Sequence, residues 1–151
     1  MYSIDTSAIL DGWVRYYPPD VFGSVWARLK SLGNGGTLFT PDEVIEELKK
    51  KEDGAWKWAK AELQVYTIDG EIQGVVTEIL AAHQRLVDER RDRSKGDPFV
   101  IALAKLKGFT VVTGEKASGN LQKPKIPDVC VALNIKCIRL LDLFREQGWQ
   151  L

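Results

Sequence analysis

The sequence predicts an α/β protein, a three-layer α/β/α sandwich around a central parallel sheet of about four or five strands. Short apolar segments that suit strands recur along the chain, and longer segments with apolar residues at helical spacing separate them. This alternation favours a parallel sheet with helices on both faces. A length of 151 residues suits one core, so we expect residues 1–151 to form a single domain.

The first strand is predicted almost at the N-terminus, at Tyr2–Asp5. The polar side chains of residues 5–7 are typical of a helix start, and a helix is predicted over the apolar positions of Ala8–Val14. Pro18-Pro19 should end that helix, and Asp20 is expected to cap the next one.

A second strand is predicted at Thr37–Phe39, after a glycine-rich loop. Thr40, Pro41 and Glu43 then have the spacing of a helix cap, with threonine at the cap and glutamate three residues later. The helix that begins there should bury Val44, Ile45 and Leu48.

The middle of the chain continues this alternation. A short helix is predicted at Ala55–Leu63, an extended segment at Val65–Ile68 and a long helix at Glu71–Val87. The polar run Asp88–Lys95 is predicted to be the least structured part of the chain.

Asp97-Pro98 is predicted to open the next helix, which Gly108 ends. Phe109–Thr113 is the strongest strand candidate because its apolar run is too short for a helix. A polar loop is expected at Gly114–Lys125. The remaining elements are a short helix, a strand and a last helix, at Ile126–Leu133, Cys137–Ile138 and Leu140–Gln147.

Composition limits the class of protein. The 21 basic and 21 acidic residues cancel, so net charge does not indicate a nucleic-acid binder. Basic residues are nevertheless dense in Lys49–Lys51 and Arg90–Lys95, which fit either solvated helix ends or a basic rim around an acidic pocket.

No apolar segment is long enough for a membrane span, and no signal peptide is apparent, so we expect a cytoplasmic protein with no membrane partner. Cys130 and Cys137 are expected to be reduced core residues, since two thiols and one histidine do not make a zinc site.

Four acids fall where parallel α/β sheets carry their chemistry, at the carboxyl ends of strands and the helix starts that follow. They are Asp5, Glu47, Asp97 and Glu115. Taken singly, each has a simpler explanation: helix caps for Asp5 and Asp97, a solvated helix residue for Glu47 and a loop acid for Glu115. Taken together, they predict a cation site, because carboxylates without basic partners repel one another. Oxygen ligands without His or Cys favour Mg²⁺ or Mn²⁺, and Thr6, Ser7 and Thr113 add hydroxyls nearby.

The ordered motifs resemble those of the PIN-domain nucleases, and especially of VapC-like toxins. The resemblance spans Tyr2 to Phe144. Its motifs are an apolar residue before Asp-Thr-Ser, Val-x-x-Glu-Leu, Gly-Asp-Pro-Phe-Val-Ile-Ala-Leu-Ala and Val-Val-Thr-x-Glu. The Ile-Pro-Asp-x-Cys segment, Ile126–Cys130, is similar to a PIN-like branch of uncharacterised proteins.

The resemblance implies that Asp5 and Asp97 are metal ligands and that Glu47 is a ligand or positions a water. The family's fourth acid maps to Glu115, where glutamate replaces the commoner aspartate; either Glu115 or Asp128 would complete the site. Thr113 matches the family's small polar residue beside the pocket.

The implied function is a Mg²⁺- or Mn²⁺-dependent endoribonuclease, the toxin of a type II toxin–antitoxin module. RNA would be its substrate, an antitoxin its partner and a homodimer its assembly. One alternative is a catalytically weak PIN-fold module that binds RNA or protein. Another, a phosphohydrolase for small esters, is disfavoured because the dehalogenase-like pattern needs Asp-x-Asp where this chain has Asp5-Thr6-Ser7.

Overall fold

The computed structural model describes residues 1–86 and 97–151. Within these ranges, five parallel strands form one sheet in the order β3-β2-β1-β4-β5. The strands are β1 (Tyr2–Ile4), β2 (Leu38–Pro41), β3 (Gln64–Tyr66), β4 (Thr110–Val112) and β5 (Cys137–Ile138). The predicted α/β fold around a parallel sheet is confirmed.

Helices connect the strands and pack against the sheet and against one another. They are α1 (Thr6–Leu10), α2 (Gly23–Asn34), α3 (Asp42–Lys51), α4 (Asp53–Glu62), α5 (Gly70–Ala82), α6 (Asp97–Lys107), α7 (Ile126–Ala132) and α8 (Leu140–Glu146). A π-helical turn at Asp11–Tyr16 continues directly from α1, and a 3₁₀ turn at Gln84–Leu86 follows α5.

Strand β1 lies at the centre of the sheet. Tyr2 pairs with Leu38 of β2 on one side and with Thr110 of β4 on the other. The chain moves outward from β1 through β2 to β3 and then crosses to β4 on the opposite side of β1. The strand order therefore reverses at β1 and β4, which is where open α/β sheets form their binding crevices.

The core combines the apolar faces of the sheet and helices with a cluster of three tryptophans. Trp26 is buried, and its ring centre lies 4.8 Å from that of Trp13 and 4.8 Å from that of Trp58. The Trp26 indole N–H donates a 2.7 Å hydrogen bond to the Tyr17 carbonyl, so the polar edge of this buried ring is satisfied.

Two predicted helix caps are wrong. Helix α2 begins at Gly23 without a side-chain cap, so Asp20 does not cap it. Thr40 belongs to β2, and its hydroxyl donates to the Ile4 carbonyl of the neighbouring strand instead of to a helix N–H. The hydroxyl finds its partner across the sheet because β2 extends two residues further than the apolar pattern indicates.

Other differences concern the ends of elements. Helix α5 ends at Ala82, short of the predicted Val87, and the predicted irregular run Asp88–Lys95 lies outside the described residues. Cys130 is buried, Cys137 is partly buried, and both are free thiols as predicted. In the part of the chain that is described, no helix is both long and apolar enough to cross a membrane.

Candidate active site

The candidate site lies where β1 and β4 end side by side. Ile4 pairs with Val112 in the sheet, so the next residue of each strand, Asp5 and Thr113, emerges at the same edge. The Thr113 hydroxyl donates a 2.8 Å hydrogen bond to Oδ2 of Asp5. Both side chains are buried, with exposed fractions of 1% each. The two strand ends thus meet in a polar contact inside an apolar frame.

The Asp5 carboxylate caps helix α1 and also contacts the hydroxyl of Ser7. Its Oδ1 accepts a 2.9 Å hydrogen bond from the backbone N–H of Ala8, which makes it the N-cap of α1. The Ser7 hydroxyl lies 3.0 and 2.9 Å from its two carboxylate oxygens. The pKa of Asp5 is raised from 3.8 to about 7, mainly by burial and in smaller part by the nearby charge of Glu115; the hydrogen bonds from Ala8, Thr113 and Ser7 lower it and only partly offset this rise.

Asp5 has no Lys or Arg partner among the residues that the structure describes. Its contacts are neutral hydroxyl and amide donors, which orient the carboxylate but do not neutralise its charge. A buried carboxylate in this condition is stabilised by a cation or by a proton.

Glu47 joins this site through Thr6. The Thr6 hydroxyl donates a 3.0 Å hydrogen bond to Oε2 of Glu47, and Thr6 directly follows Asp5 in the chain. Glu47 lies on α3, the helix that follows β2, so the contact brings a second strand–helix unit to the edge where β1 ends. Glu47 is therefore connected to Asp5 through Thr6, the residue that follows Asp5 in the chain.

Glu115 lies near Asp5, and its carboxylate already has one partner. Its negative charge contributes to the raised pKa of Asp5. Its Oε2 accepts a 2.9 Å hydrogen bond from the Ile126 backbone N–H at the start of α7. Its own backbone N–H donates to the Thr113 hydroxyl at 3.1 Å. Glu115 is thus held from both its backbone and its side chain.

Asp97 is the first residue of α6 and is 3% exposed. Helix α6 packs against β1, β2 and β4, and the Ser3 hydroxyl of β1 donates a 3.0 Å hydrogen bond to the Val100 carbonyl. This contact fixes the first turn of α6 beside the central strand, so a buried carboxylate begins a helix packed on the same strand that carries Asp5.

Asp128 organises the loop before α7. Its Oδ2 accepts from the Ser118 hydroxyl at 2.8 Å and from the backbone N–H groups of Ser118 and Lys125, and its Oδ1 accepts from Gly119. Burial alone would raise the pKa of Asp128, but these hydrogen bonds lower it to about 2. Both oxygens hold loop residues 118–125 in place.

Three further acids lie close to the predicted site residues, and none of them was predicted to belong to the site. Asp42 and Glu43 begin α3, one turn before Glu47, where Glu43 was assigned only to a helix cap. Burial raises the pKa of Glu43, and the charges of Asp42 and Glu47 raise it further. Asp11 lies beside Gly114, because a Cβ added at Gly114 would come within 2.5 Å of its Oδ2. The density of acids in residues 42–47 was a usable signal; nothing in the sequence pointed to Asp11.

The donor chemistry suits a hard cation, but the side chains do not form a closed cage. Across residues 1–86 and 97–151, no three His, Cys, Asp or Glu side chains are grouped closely enough to enclose a metal ion. The donors near Asp5 are carboxylate and hydroxyl oxygens, the ligand types that Mg²⁺ and Mn²⁺ prefer. Mg²⁺ characteristically uses one or two carboxylates and keeps several waters, so an open arrangement fits it.

Comparison with known proteins gives a family match over almost the whole chain. The model of the family "Domain of unknown function (DUF4411)" matches residues 2–151. Comparison with curated proteins gives no match.

Among solved structures, that of VapBC2 from Rickettsia felis bound to a DNA fragment from their promoter is 14% identical, with a TM-score of 0.57 over 91% of this chain and 97% of that one. The structure of FitAcB from Neisseria gonorrhoeae is 12% identical, with a TM-score of 0.51 over 91% of this chain and 96% of that one. These similarities confirm the predicted PIN-like architecture.

Proposed function

This chain belongs to the DUF4411 family, and we propose that it is a Mg²⁺- or Mn²⁺-dependent endoribonuclease, the toxin of a toxin–antitoxin module. The observation that carries the proposal is the environment of the Asp5 carboxylate. This carboxylate is buried at the reversal point of the sheet, is oriented by neutral donors and has no basic partner in the described ranges. A divalent cation would supply the missing positive charge.

In this proposal, Asp5 and Asp97 bind the metal and Glu47 and Glu115 complete the site, directly or through water. A bound ion of this kind activates water for attack on a phosphodiester and offsets charge on the leaving oxygen. Thr113 and Ser7 hold the Asp5 carboxylate in orientation, and Thr6 does the same for Glu47. Asp128 positions the loop that follows Glu115.

An RNA substrate is supported by positive charge close to these acids. Lys49–Lys51 form the last turn of α3, directly after Glu47 and Leu48. Trp56 of α4 lies beside them, with the ammonium groups of Lys49 and Lys60 at 5.6 and 5.3 Å from its ring centre. Basic side chains next to a half-buried aromatic ring suit the phosphate and base of a single strand. The basic run Arg90–Lys95 lies outside the described residues.

The proposed protein partner is an antitoxin. The resemblance of the sequence motifs to VapC-like toxins and the fold shared with the VapBC2 and FitAcB structures support this proposal. An antitoxin side chain that carries a guanidinium or ammonium group would neutralise the acids around Asp5 and thereby block the site. We propose a homodimer as the assembly on the resemblance alone.

The test is cleavage of a mixed pool of single-stranded RNA by the purified protein, free of any partner, with Mn²⁺ or Mg²⁺. We expect metal-dependent cleavage that Asp5→Asn and Glu47→Gln both abolish. Glu46→Gln is the matched control because Glu46 is the exposed neighbour of Glu47 on α3. Its activity should equal that of the wild type.

Absence of cleavage with either ion, in protein shown to be folded, would reject the ribonuclease. Equal loss of activity in Glu46→Gln and Glu47→Gln would reject the role assigned to Glu47, because it would show a general effect of charge on α3.

A second candidate is a PIN-fold module that binds RNA or protein with weak catalysis or none. Two observations favour it: the acids in the described ranges form no closed cage, and Glu115 already accepts a hydrogen bond from Ile126. Thermal denaturation with Mn²⁺ separates the two, since a ligand that binds the folded state raises its stability. A Mn²⁺-dependent rise in Tm that Asp5→Asn removes supports the nuclease, and no rise supports the binding module.

A further inference from the structure

A pocket of about 260 Å³ opens beside Thr113, and Glu115 is not one of its lining residues. Its walls come from the π-helical turn, from Thr113, Gly114 and Lys116 after β4, and from the start of α8. A second cavity of about 290 Å³ contains Glu115 and shares Thr113, Lys116 and Arg139 with the first. At about 260 Å³, the first pocket is slightly smaller than the usual range for ligand sites.

The π-helical turn builds one wall of this pocket. The Tyr17 N–H donates a 2.8 Å hydrogen bond to the Gly12 carbonyl, five residues earlier. In an α-helix, residues five apart diverge around the axis, whereas this wider turn places both Asp11 and Gly12 on the same side as Tyr16 and Tyr17. Single π-helical turns of this kind are frequent at functional sites.

Asp11 supplies an unused acceptor in that wall. Its carboxylate makes no hydrogen bond or salt bridge with any residue of the described ranges. It lies against Gly114, where the missing side chain leaves room for Oδ2. Gly114 in turn donates its N–H to the Ser7 hydroxyl at 2.9 Å, and Ser7 contacts Asp5. Two residues, Gly114 and Ser7, therefore connect this acceptor to the candidate catalytic carboxylate of Asp5.

Aromatic and basic groups complete the pocket. Tyr16 is 63% exposed, so its ring is available for stacking, while Tyr17 is fixed against Phe144 with ring centres 5.2 Å apart. Lys116 and Arg139 lie at the border with the cavity that contains Glu115, and neither makes an ion pair with a described residue. A flat base on the tyrosines and a phosphate on the two cations fit this distribution.

We propose that this pocket binds a guanine base of the RNA substrate, with Asp11 as the residue that selects it. Guanine carries two adjacent N–H donors on its Watson–Crick edge, at N1 and at the 2-amino group, and a carboxylate offers two acceptors side by side. Adenine and cytosine each offer one amino group on that edge, and uracil offers one N–H between two carbonyls that the carboxylate would repel. The negative charge of Asp11 also disfavours binding of a phosphate group beside it.

This inference rests on the proposed ribonuclease function, but its test does not require cleavage. We would measure the dissociation constants of GMP, IMP and AMP in EDTA by protein-observed NMR. IMP differs from GMP only in lacking the 2-amino group. We expect the wild type to bind GMP about tenfold more tightly than IMP or AMP. Asp11→Asn should reduce the GMP-to-IMP preference to nearly one, since its amide places a donor opposite a donor of guanine.

Asp20→Asn is the matched control, because Asp20 is exposed and does not line the pocket, and it should keep the tenfold preference. Equal binding of GMP, IMP and AMP by the wild type would overturn the proposal. So would an unchanged preference in folded Asp11→Asn. A guanine preference in a protein that cleaves no RNA would reject the nuclease and retain the base site. RNA cleavage without a guanine preference would reject the base site alone.

Discussion

The 2.8 Å hydrogen bond from the Thr113 hydroxyl to Oδ2 of Asp5 joins two residues that are 108 positions apart in the chain. It forms because β1 and β4 run parallel in register and end at the same level. The Thr113 hydroxyl also accepts a hydrogen bond from the backbone N–H of Glu115, so it contacts both Asp5 and Glu115, and the charge of Glu115 raises the pKa of Asp5.

Thr113→Val tests this link, because valine keeps the shape of the side chain and removes its hydroxyl. We expect loss of metal-dependent cleavage and a decrease of about 1–3 kcal/mol in the free energy of unfolding, the usual cost of removing a buried hydrogen-bond partner. Thr113→Ser restores the hydroxyl and should recover most of the activity. Chemical denaturation and RNA cleavage measure the two effects. Equal activities of the Val and Ser variants would contradict the role of the hydroxyl.

Asp5→Asn should stabilise the metal-free protein at neutral and higher pH. The folded-state pKa of Asp5 is raised to about 7, so protonation favours folding, and the stability that it gives is complete below about pH 3.8 and lost as the pH rises through 7. A raise from 3.8 to about 7 corresponds to an upper bound of about 4 kcal/mol. Asparagine is uncharged at every pH and still caps α1.

The measurement is urea denaturation of both proteins in EDTA between pH 4 and pH 8.5. The asparagine variant should gain stability over the wild type as the pH rises and lose that advantage when Mn²⁺ is added. A difference that does not depend on pH would show that Asp5 is not held protonated in the metal-free fold.

Asp128→Asn should destabilise the loop before α7 without removing the metal response. The ionised carboxylate is favoured by its hydrogen bonds, which lower its pKa to about 2. Its contribution to stability is therefore present above about pH 3.8 and lost as the pH falls through 2. We expect the variant to unfold at a lower Tm at pH 7 and to keep a Mn²⁺-dependent rise in Tm. Loss of that rise would indicate that Asp128 takes part in the metal site.

Alanine substitutions at two glycines should have opposite effects on stability, because one position is crowded and the other is an open position in a helix. A Cβ at Gly114 would meet Oδ2 of Asp11 at 2.5 Å and the Ser7 carbonyl at 3.0 Å, whereas a Cβ at Gly74 in α5 meets nothing within 4 Å. Gly114→Ala should therefore reduce stability and activity. Gly74→Ala should raise the free energy of unfolding by about 0.5–1 kcal/mol and leave cleavage unchanged. Thermal denaturation of both variants, with RNA cleavage, tests the contrast.

The parallel sheet could be predicted from the sequence because strands and helices alternate with clear apolar patterns. The strand at residues 137–138 and the start of the helix at Asp97 agree with the structure. The helix caps at Asp20 and Thr40 were wrong because capping is decided by which partner a side chain meets, and Thr40 meets the Ile4 carbonyl of another strand. Local sequence does not contain that partner.

In the candidate site, too, a residue could be predicted only where the local sequence determines its position. Asp5, Thr6, Ser7 and Thr113 could be chosen because each follows directly from the end of a strand. Asp11 could not be chosen in this way, because its position depends on a π-helical turn that no residue pattern in the sequence predicts. Asp128 is an alternative to Glu115 as a ligand, and this stays a prediction; the structure shows that both its oxygens accept hydrogen bonds from the loop before α7.

The central position of β1 has a consequence for the order of events during synthesis. This strand is made before the other four, yet its neighbour β4 begins at residue 110, and Thr113, the partner of Asp5 across the sheet, follows β4. A nascent chain that has completed β1, β2 and β3 has one open edge along its central strand and no Thr113 to orient Asp5. Any activity that depends on this contact therefore requires synthesis through Thr113, and an unfinished chain that stops before β4 lacks it.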